Sequence, residues 1–191
     1  MTVAAVVLAA GGGSRFAGDG HKLLTPFRGR PLVVWSVLHA LDGGLDDVVV
    51  VEGAVALAPV LREARLVPPA RVLDNPDWAR GQASSLAVAV RDAAWRGHDA
   101  IVVGLGDQPL VPGDAWRAVA ATTTHPIVAA SYDGLRRNPV RLARGVWGLL
   151  DTEGDEGARA LMRRRPDLVG EVACVGLPAD VDTVEDLSQW S

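Results

Sequence analysis

The sequence predicts an α/β fold built on a mostly parallel central sheet. Short, β-branched, nearly uncharged runs recur along the chain: Val3 to Leu8, Asp47 to Val51 with its four consecutive valines, and Asp99 to Leu105. Such runs suit strands buried on both faces. The stretches between them carry apolar residues at helical spacing. This strand–helix–strand alternation favours parallel pairing through right-handed crossovers. A glycine-rich loop follows the first run directly, where an open α/β sheet binds its ligand.

Composition narrows the classes. The 191 residues, 49% of them hydrophobic, fit a single domain spanning 1–191 with ample apolar material for a core. A formal charge of −4 argues against a surface that coats nucleic acid. Cys174 is the lone cysteine, which excludes an internal disulfide framework and suits a reducing cytoplasm. His21, His39, His98 and His125 are too dispersed for a clustered zinc site and are expected on solvated loops or helix surfaces. No apolar stretch approaches the roughly 20 residues of a membrane helix. Val3 to Ala10 lacks the positive flank of a signal peptide. A soluble, cytoplasmic protein is expected.

The first loop runs Leu8, Ala9, Ala10, Gly11, Gly12, Gly13, Ser14, Arg15 and Phe16, and reaches Lys22 after Ala17-Gly-Asp-Gly-His21. Glycines let the backbone take positive φ and approach a ligand, and successive N–H groups make an anion-binding concavity. Arg15 adds a planar fork for phosphate oxygens and Lys22 a compact charge. The loop therefore reads as a holder of nucleotide phosphates. It is neither of two better-known loops. The dinucleotide fingerprint needs a glycine where Phe16 stands, and the P-loop needs glycine before the lysine and a hydroxyl after it, where His21 and Leu23 stand.

Further along, Pro31 suits the first turn of a helix marked by Leu32, Trp35, Leu38 and Leu41 and ended by Gly43-Gly44. Ala56 to Arg65 reads as a helix and Arg71 to Leu73 as a short strand. Asp74 to Ser85 is a polar loop entering a helix over Ser84 to Trp95. Gln82, Ser84 and Ser85 at that helix start have two readings: helix capping, or a rim that meets a base or phosphate. Asp107 follows the Asp99 to Leu105 strand. It reads either as a turn residue or as a carboxylate that holds Mg²⁺ bridged to substrate phosphates. A helix follows from Pro112 or Gly113 through Ala121. Pro126 to Ser131 and Asn138 to Leu142 read as strands joined by a hairpin at Tyr132 to Arg137. Val146 to Leu150 reads as a short helix and Glu171 to Val175 as a last strand. A helix is expected from Gly154 to Arg164, with acids in its first turn and arginines in its last. Thr183 can cap a final helix, and Asp182 just before it is a candidate second metal carboxylate. The six tryptophans mostly fall on helical faces and are expected in the core.

Together these stretches resemble the molybdenum-cofactor nucleotidyltransferases, above all the molybdopterin cytidylyltransferases. The likeness rests on Leu8-Ala-Ala-Gly11, Ser14-Arg-Phe16, Lys22-Leu-Leu24, Gly29-Arg-Pro-Leu32, Gly81-Gln-Ala-Ser-Ser-Leu86, Gly106-Asp-Gln-Pro109, Asn138-Pro-Val140, Gly154 to Arg159 and Asp180 to Leu187, in order along nearly the whole chain. It implies a Rossmann-like, three-layer fold of the nucleotide-diphospho-sugar-transferase kind. It also implies Mg²⁺ on Asp107 and Asp182, with Lys22 and Arg15 on a nucleoside triphosphate. Backbone near Ala9 to Gly11 and the Gln82 to Ser85 rim would read the base. Asn138 and the Gly154 to Arg159 turn would lie toward a phosphorylated, molybdopterin-like acceptor, and a molybdenum enzyme would be the downstream protein partner. Ala10 resembles the cytidylyl type, where a methyl beside the base disfavours a purine. The glycine-rich run Ala17 to His21 is longer than the family's usual spacing and carries Asp19 near the phosphate path. Two alternatives stay open: a related transferase using GTP or another acceptor, and a non-catalytic nucleotide-binding accessory protein. A dinucleotide-binding protein is disfavoured by Phe16, with Glu52 the nearest candidate for its ribose-binding acid.

Overall fold

The computed structural model describes residues 1–14, 16, 20–67 and 69–190. In chain order the elements are β1 (Val3–Leu8), β2 (Pro26–Phe27), β3 (Arg30–Pro31), α1 (Leu32–Asp42), β4 (Asp47–Glu52), α2 (Ala58–Glu63), β5 (Arg71–Asp74) and α3 (Gln82–Trp95). They continue with β6 (Ala100–Leu105), α4 (Gly113–Ala121), β7 (Ile127–Tyr132), β8 (Leu135–Ala143), α5 (Ala158–Arg164), β9 (Val169–Ala173) and α6 (Val184–Trp190). Seven strands form one sheet in the order β5-β4-β1-β6-β8-β7-β9, and β2 and β3 form a separate ribbon. Strand β8 pairs antiparallel with both β6 and β7; every other pairing in the large sheet is parallel. The sheet is mostly parallel, as the alternation of elements predicted, and the fold is Rossmann-like, as the family resemblance implied.

Burial on both faces explains why the strands read as unbroken apolar runs. Along β1, Ala5 and Val7 face one core with Leu32, Val37, Leu61, Trp116 and Leu187. Ala4, Val6 and Leu8 face the other with Leu86, Ala89, Ala93 and Leu161. Helices α1, α2, α4 and α6 thus cover one face, and α3 and α5 the opposite one. The order of strands reverses at β1: the chain goes from β1 to β4 and β5 on one side, then returns to β6 on the other. In open α/β sheets that switch point is where the crevice forms. Leu8 and Leu105 are register partners, so the loops after β1 and β6 leave the sheet side by side.

Several local expectations are corrected. Helix α5 begins at Ala158, not Gly154, because Gly154 (φ +97°) and Gly157 (φ +53°) leave the helical region. Its first turn carries no acid; Glu156 lies ahead of the helix and pairs with Arg163. The stretch expected as a helix over Val146 to Leu150 is a 3₁₀ segment, Arg144–Leu149. Strand β9 starts at Val169 and ends at Ala173, leaving Val175 exposed. Of the tryptophans, Trp116 and Trp147 are buried, whereas Trp78 is partly open and Trp95 projects into solvent. His98 is buried, with Nε2 3.5 Å from Asp47, which Arg71 also engages at 2.6 Å. The Asp47 carboxylate gives the buried ring a polar partner, which periodicity alone does not reveal. No helix among the described residues is long and apolar enough to cross a membrane.

Candidate active site

The loops after β1 and β6 open a cleft of about 470 Å³ at the carboxyl ends of the strands. Leu8, Ala9, Ala10, Gly11, Gly12, Gly13 and Ser14 line one wall, and Gln82 and Ser85 line the opposite one. Lys22, Asp107 and Asp182 converge at the cleft. Lys22 Nζ donates to Asp107 Oδ2 at 2.7 Å and to Asp182 Oδ1 at 2.8 Å. Residues separated by 160 positions therefore share one ion cluster.

Specific backbone ties build that cluster. Gly106 N–H donates to the Leu8 carbonyl, so the loop carrying Asp107 starts against β1. The buried Ser36 hydroxyl on α1 donates to the Gly106 carbonyl at 3.0 Å and fixes the turn from below. The segment after β9 is joined to the same loop: Val181 N–H donates to the Asp107 carbonyl, and Gln108 Nε2 donates to Asp180 Oδ1 at 2.8 Å. Asp182 reaches Asp107 for this reason. The Asp186 carboxylate accepts from the Asp182 and Thr183 N–H groups, and Thr183 Oγ1 accepts from Asp186 N–H. This is a reciprocal cap on α6, as the Thr183 reading anticipated.

Electrostatics follow from the geometry. Burial works to lower the Lys22 pKa, but the carboxylates of Asp107 and Asp182 outweigh it, and the ammonium is held above its ordinary value. Burial, reinforced by the nearby Asp107 charge, pushes the Asp180 carboxyl up. Asp107 Oδ1 is buried and has no hydrogen-bond partner among the described residues. An unsatisfied, buried carboxylate oxygen is costly unless a cation meets it. Hard divalent cations take oxygen ligands, and Mg²⁺ is held by one or two carboxylates plus substrate phosphates. Asp107 and Asp182 fit that donor set. Among the described residues no group of three or more His, Cys, Asp or Glu could hold a metal by itself, so the remaining ligands would come from substrate and water.

The rim is assembled differently. Buried Asn75 donates to Ser84 Oγ and Ser85 Oγ at 2.9 Å each, and Ser84 Oγ also donates to the Gly81 carbonyl at 2.8 Å. Ser84 thus braces the loop and is absent from the cleft lining, while Ser85 and Gln82 line it. The turn 154–157 docks on this rim: Ala83 N–H donates to the Gly154 carbonyl, and Gly154 N–H to the Arg80 carbonyl. Asp155 enters the cleft there, and Asn138 lies outside its lining. Gly81 has φ +98°, and a Cβ on it would sit 2.5 Å from the Gly154 carbonyl group. Gly81→Ala should therefore undock the turn and lower stability by about 2 kcal/mol, the cost of one strained backbone position. A thermal melt matching that of the unaltered chain would show the docking to be dispensable.

Arg15, together with Ala17, Gly18 and Asp19 in the lengthened run, lies outside the described residues. Sequence reasoning missed the place of Trp78 in the cleft and the contact of His21 with the glycine loop. Trp78 lines the cleft, with its indole against Gly12 and its Cβ against Gly53. A large aromatic set among Asn75, Asp77 and Arg80 was an available signal of an anchor. His21, expected to be solvated, is half-buried and bonded to the glycine loop, Nε2 to the Gly11 carbonyl oxygen at 3.0 Å. Ala10 is buried, and its methyl packs against Gly53. Glu52 accepts from the Leu57 and Ala58 N–H groups at 2.6 and 3.0 Å, so it caps the start of α2.

Comparison with known proteins agrees with this geometry. Residues 5–169 match the MobA-like NTP transferase domain. The chain is 38% identical over 198 residues to nicotine blue oxidoreductase of Paenarthrobacter nicotinovorans, covering 97% of this chain and 94% of that protein. It is 30% identical over 194 residues to the purine catabolism protein PucB of Bacillus subtilis, covering 94% and 92%. The crystal structure of Rv0371c from Mycobacterium tuberculosis in complex with manganese superposes with a TM-score of 0.81 at 27% identity, covering 100% of this chain and 98% of that one. With a glycine loop, a cationic side chain and paired carboxylates gathered at the switch point of such a sheet, the chain belongs to the MobA-like NTP transferase family.

Proposed function

We propose that this protein transfers CMP from CTP to the terminal phosphate of a molybdopterin-type acceptor and releases pyrophosphate. The observation that carries the transfer reaction is the Lys22–Asp107–Asp182 cluster facing the glycine loop. An acceptor phosphate oxygen attacks the α-phosphorus in line, its bond to phosphorus forms, and the α–β bridging bond breaks toward pyrophosphate. The attacking monoester has a second pKa of about 6 and is largely ionised near neutral pH. No general base is therefore assigned. The glycine-loop N–H groups bind and orient the triphosphate, while Lys22 and Arg15 neutralise charge on the leaving pyrophosphate. Asp107 and Asp182 would hold Mg²⁺, which supplies further charge neutralisation across the phosphates.

The choice of CTP rests on the likeness of Leu8-Ala-Ala-Gly11 to the cytidylyl type. Ala10 lines the cleft, and its methyl also packs against Gly53. Pyrophosphate release with Mg²⁺ and each of the four nucleoside triphosphates, with and without a molybdopterin-type acceptor, tests the reading. Acceptor-dependent release with CTP is expected. Release with GTP alone would keep the chemistry and discard the base assignment, and binding without release would favour an accessory protein.

The relative named nicotine blue oxidoreductase favours a second reading, reduction of an organic acceptor in the same cleft. Loss of NADH or NADPH absorbance in the presence of nicotine blue would support it. The capping role of Glu52 removes the acid closest to a ribose-binding position and favours the transferase.

A further inference from the structure

The glycine arm and the lysine turn of the phosphate loop are joined by one imidazole. His21 Nδ1 accepts the Leu23 N–H at 3.3 Å and thereby caps the 3₁₀ turn Lys22–Leu24. A ring nitrogen that accepts carries no proton, so the proton of the neutral ring sits on Nε2. Nε2 then donates to the Gly11 carbonyl oxygen at 3.0 Å. Burial pushes the imidazole pKa down, the Gly11 bond works against that, and the Lys22 charge adds to the lowering. The neutral tautomer is thus the resident one at neutral pH.

Among the described residues, Phe16 N–H donates to the Gly13 carbonyl at 2.9 Å, and Gly13 lies against the Lys22 side chain. Gly11 has open space where a side chain would stand, so no packing fixes it from that direction. The indole of Trp78 lies against Gly12, within 3.2 Å of where a Cβ would be, and supports the arm from one side. Ala54 N–H ties the Ala10 carbonyl one residue earlier. The His21–Gly11 bond is a side-chain hydrogen bond that joins the arm to the residue before Lys22 across ten positions of sequence.

We propose that His21 is a positioning residue of the phosphate loop, which fixes Gly11–Gly13 against the Lys22 turn so that backbone N–H groups and ammonium meet the same triphosphate. This rests on the nucleotidyl-transfer reading above, and its two bonds can be separated. In His21→Asn the Oδ1 atom replaces Nδ1 and keeps the cap, but the shorter side chain does not reach Gly11. In His21→Gln the Nε2 atom replaces the ring Nε2 and keeps the bond to Gly11, while the cap is lost.

His21→Asn should raise KM for the nucleoside triphosphate about tenfold, the effect of one lost hydrogen bond, with kcat and the acceptor KM nearly unchanged. His21→Gln should rescue that KM to within about threefold of the unaltered value. Amide hydrogen exchange at Gly12 and Gly13, measured without nucleotide, should quicken in His21→Asn and not in His21→Gln. If the Asn variant matches the unaltered protein and the Gln variant is the impaired one, His21 only caps its turn and the inference falls. It falls equally if both variants melt early and lose kcat and both KM values together. An unaltered protein without turnover on any triphosphate would sink the transferase reading, while exchange at Gly12 and Gly13 would still decide the role of His21.

Discussion

Asp107→Ala should reduce nucleotidyl transfer at least about 1,000-fold, the upper range for losing one preorganised electrostatic group. Asp107 stands at the carboxyl end of β6, and its Oδ2 meets the Lys22 ammonium at 2.7 Å. Its buried Oδ1 is left without a hydrogen-bond partner among the described residues. A divalent cation held here would have Asp107 as its more buried carboxylate, so removing that carboxylate would strip charge neutralisation from the in-line transition state. The fold should survive, because the sheet, the Ser36 tie to Gly106 and the backbone bond from Val181 to Asp107 need no Asp107 side chain. Pyrophosphate release and a thermal melt on the same sample check both halves. Turnover near that of the unaltered protein would remove Asp107 from the chemistry.

Lys22→Ala should lower transfer roughly 100-fold, the typical effect of deleting one charge-stabilising donor. The same substitution should act in the opposite direction on metal binding. Without nucleotide, the Lys22 ammonium occupies oxygens of both Asp107 and Asp182. A divalent cation drawn to those oxygens has to displace it or share them against like-charge repulsion. Removing the ammonium should therefore tighten nucleotide-free Mn²⁺ binding, read from the free-ion resonance signal, by about tenfold, equivalent to ~1.4 kcal/mol. In the unaltered chain, metal affinity should depend strongly on nucleotide, whose phosphates draw the ammonium away; in the variant that dependence should shrink. A loss of transfer below threefold would count against Lys22 as a phosphate ligand. Unchanged Mn²⁺ affinity would count against the shared occupancy.

Where a local pattern and its structural cause coincide, the sequence was readable. The valine run of β4 and the alternating cores along β1 follow from burial on both faces. The Thr183 cap and the loop pairing glycines with Lys22 were equally legible, because each is written in adjacent residues. What escaped depends on distant chain segments. Asp182 was legible only as a candidate carboxylate; its place beside Asp107 depends on Val181 and Asp180, whose bonds to the Asp107 backbone and to Gln108 tie its segment to that loop. Ser84 and Ser85 divided between bracing and lining because Asn75, from the preceding loop, engages both. His21 looked solvated because nothing in its neighbourhood announces that Gly11 folds back onto it. The start of α5 was misjudged for a different reason: acids before a helix resemble a favourable first turn, whereas the positive φ values of Gly154 and Gly157 make that stretch a docked turn.

The tie between the segment after β9 and the Asp107 loop has a consequence for biosynthesis. A ribosome delivers the chain from its amino end, and folding begins before synthesis is complete. All seven strands of the sheet have been made once Ala173 has emerged, and Lys22 and Asp107 are by then available to each other. Asp180 and Asp182 come later, carried by residues whose bonds are to Gln108 and to the Asp107 backbone. The nascent protein thus acquires its sheet before Asp180 and Asp182, and the cleft lining is complete only once residues 180–182 have been added.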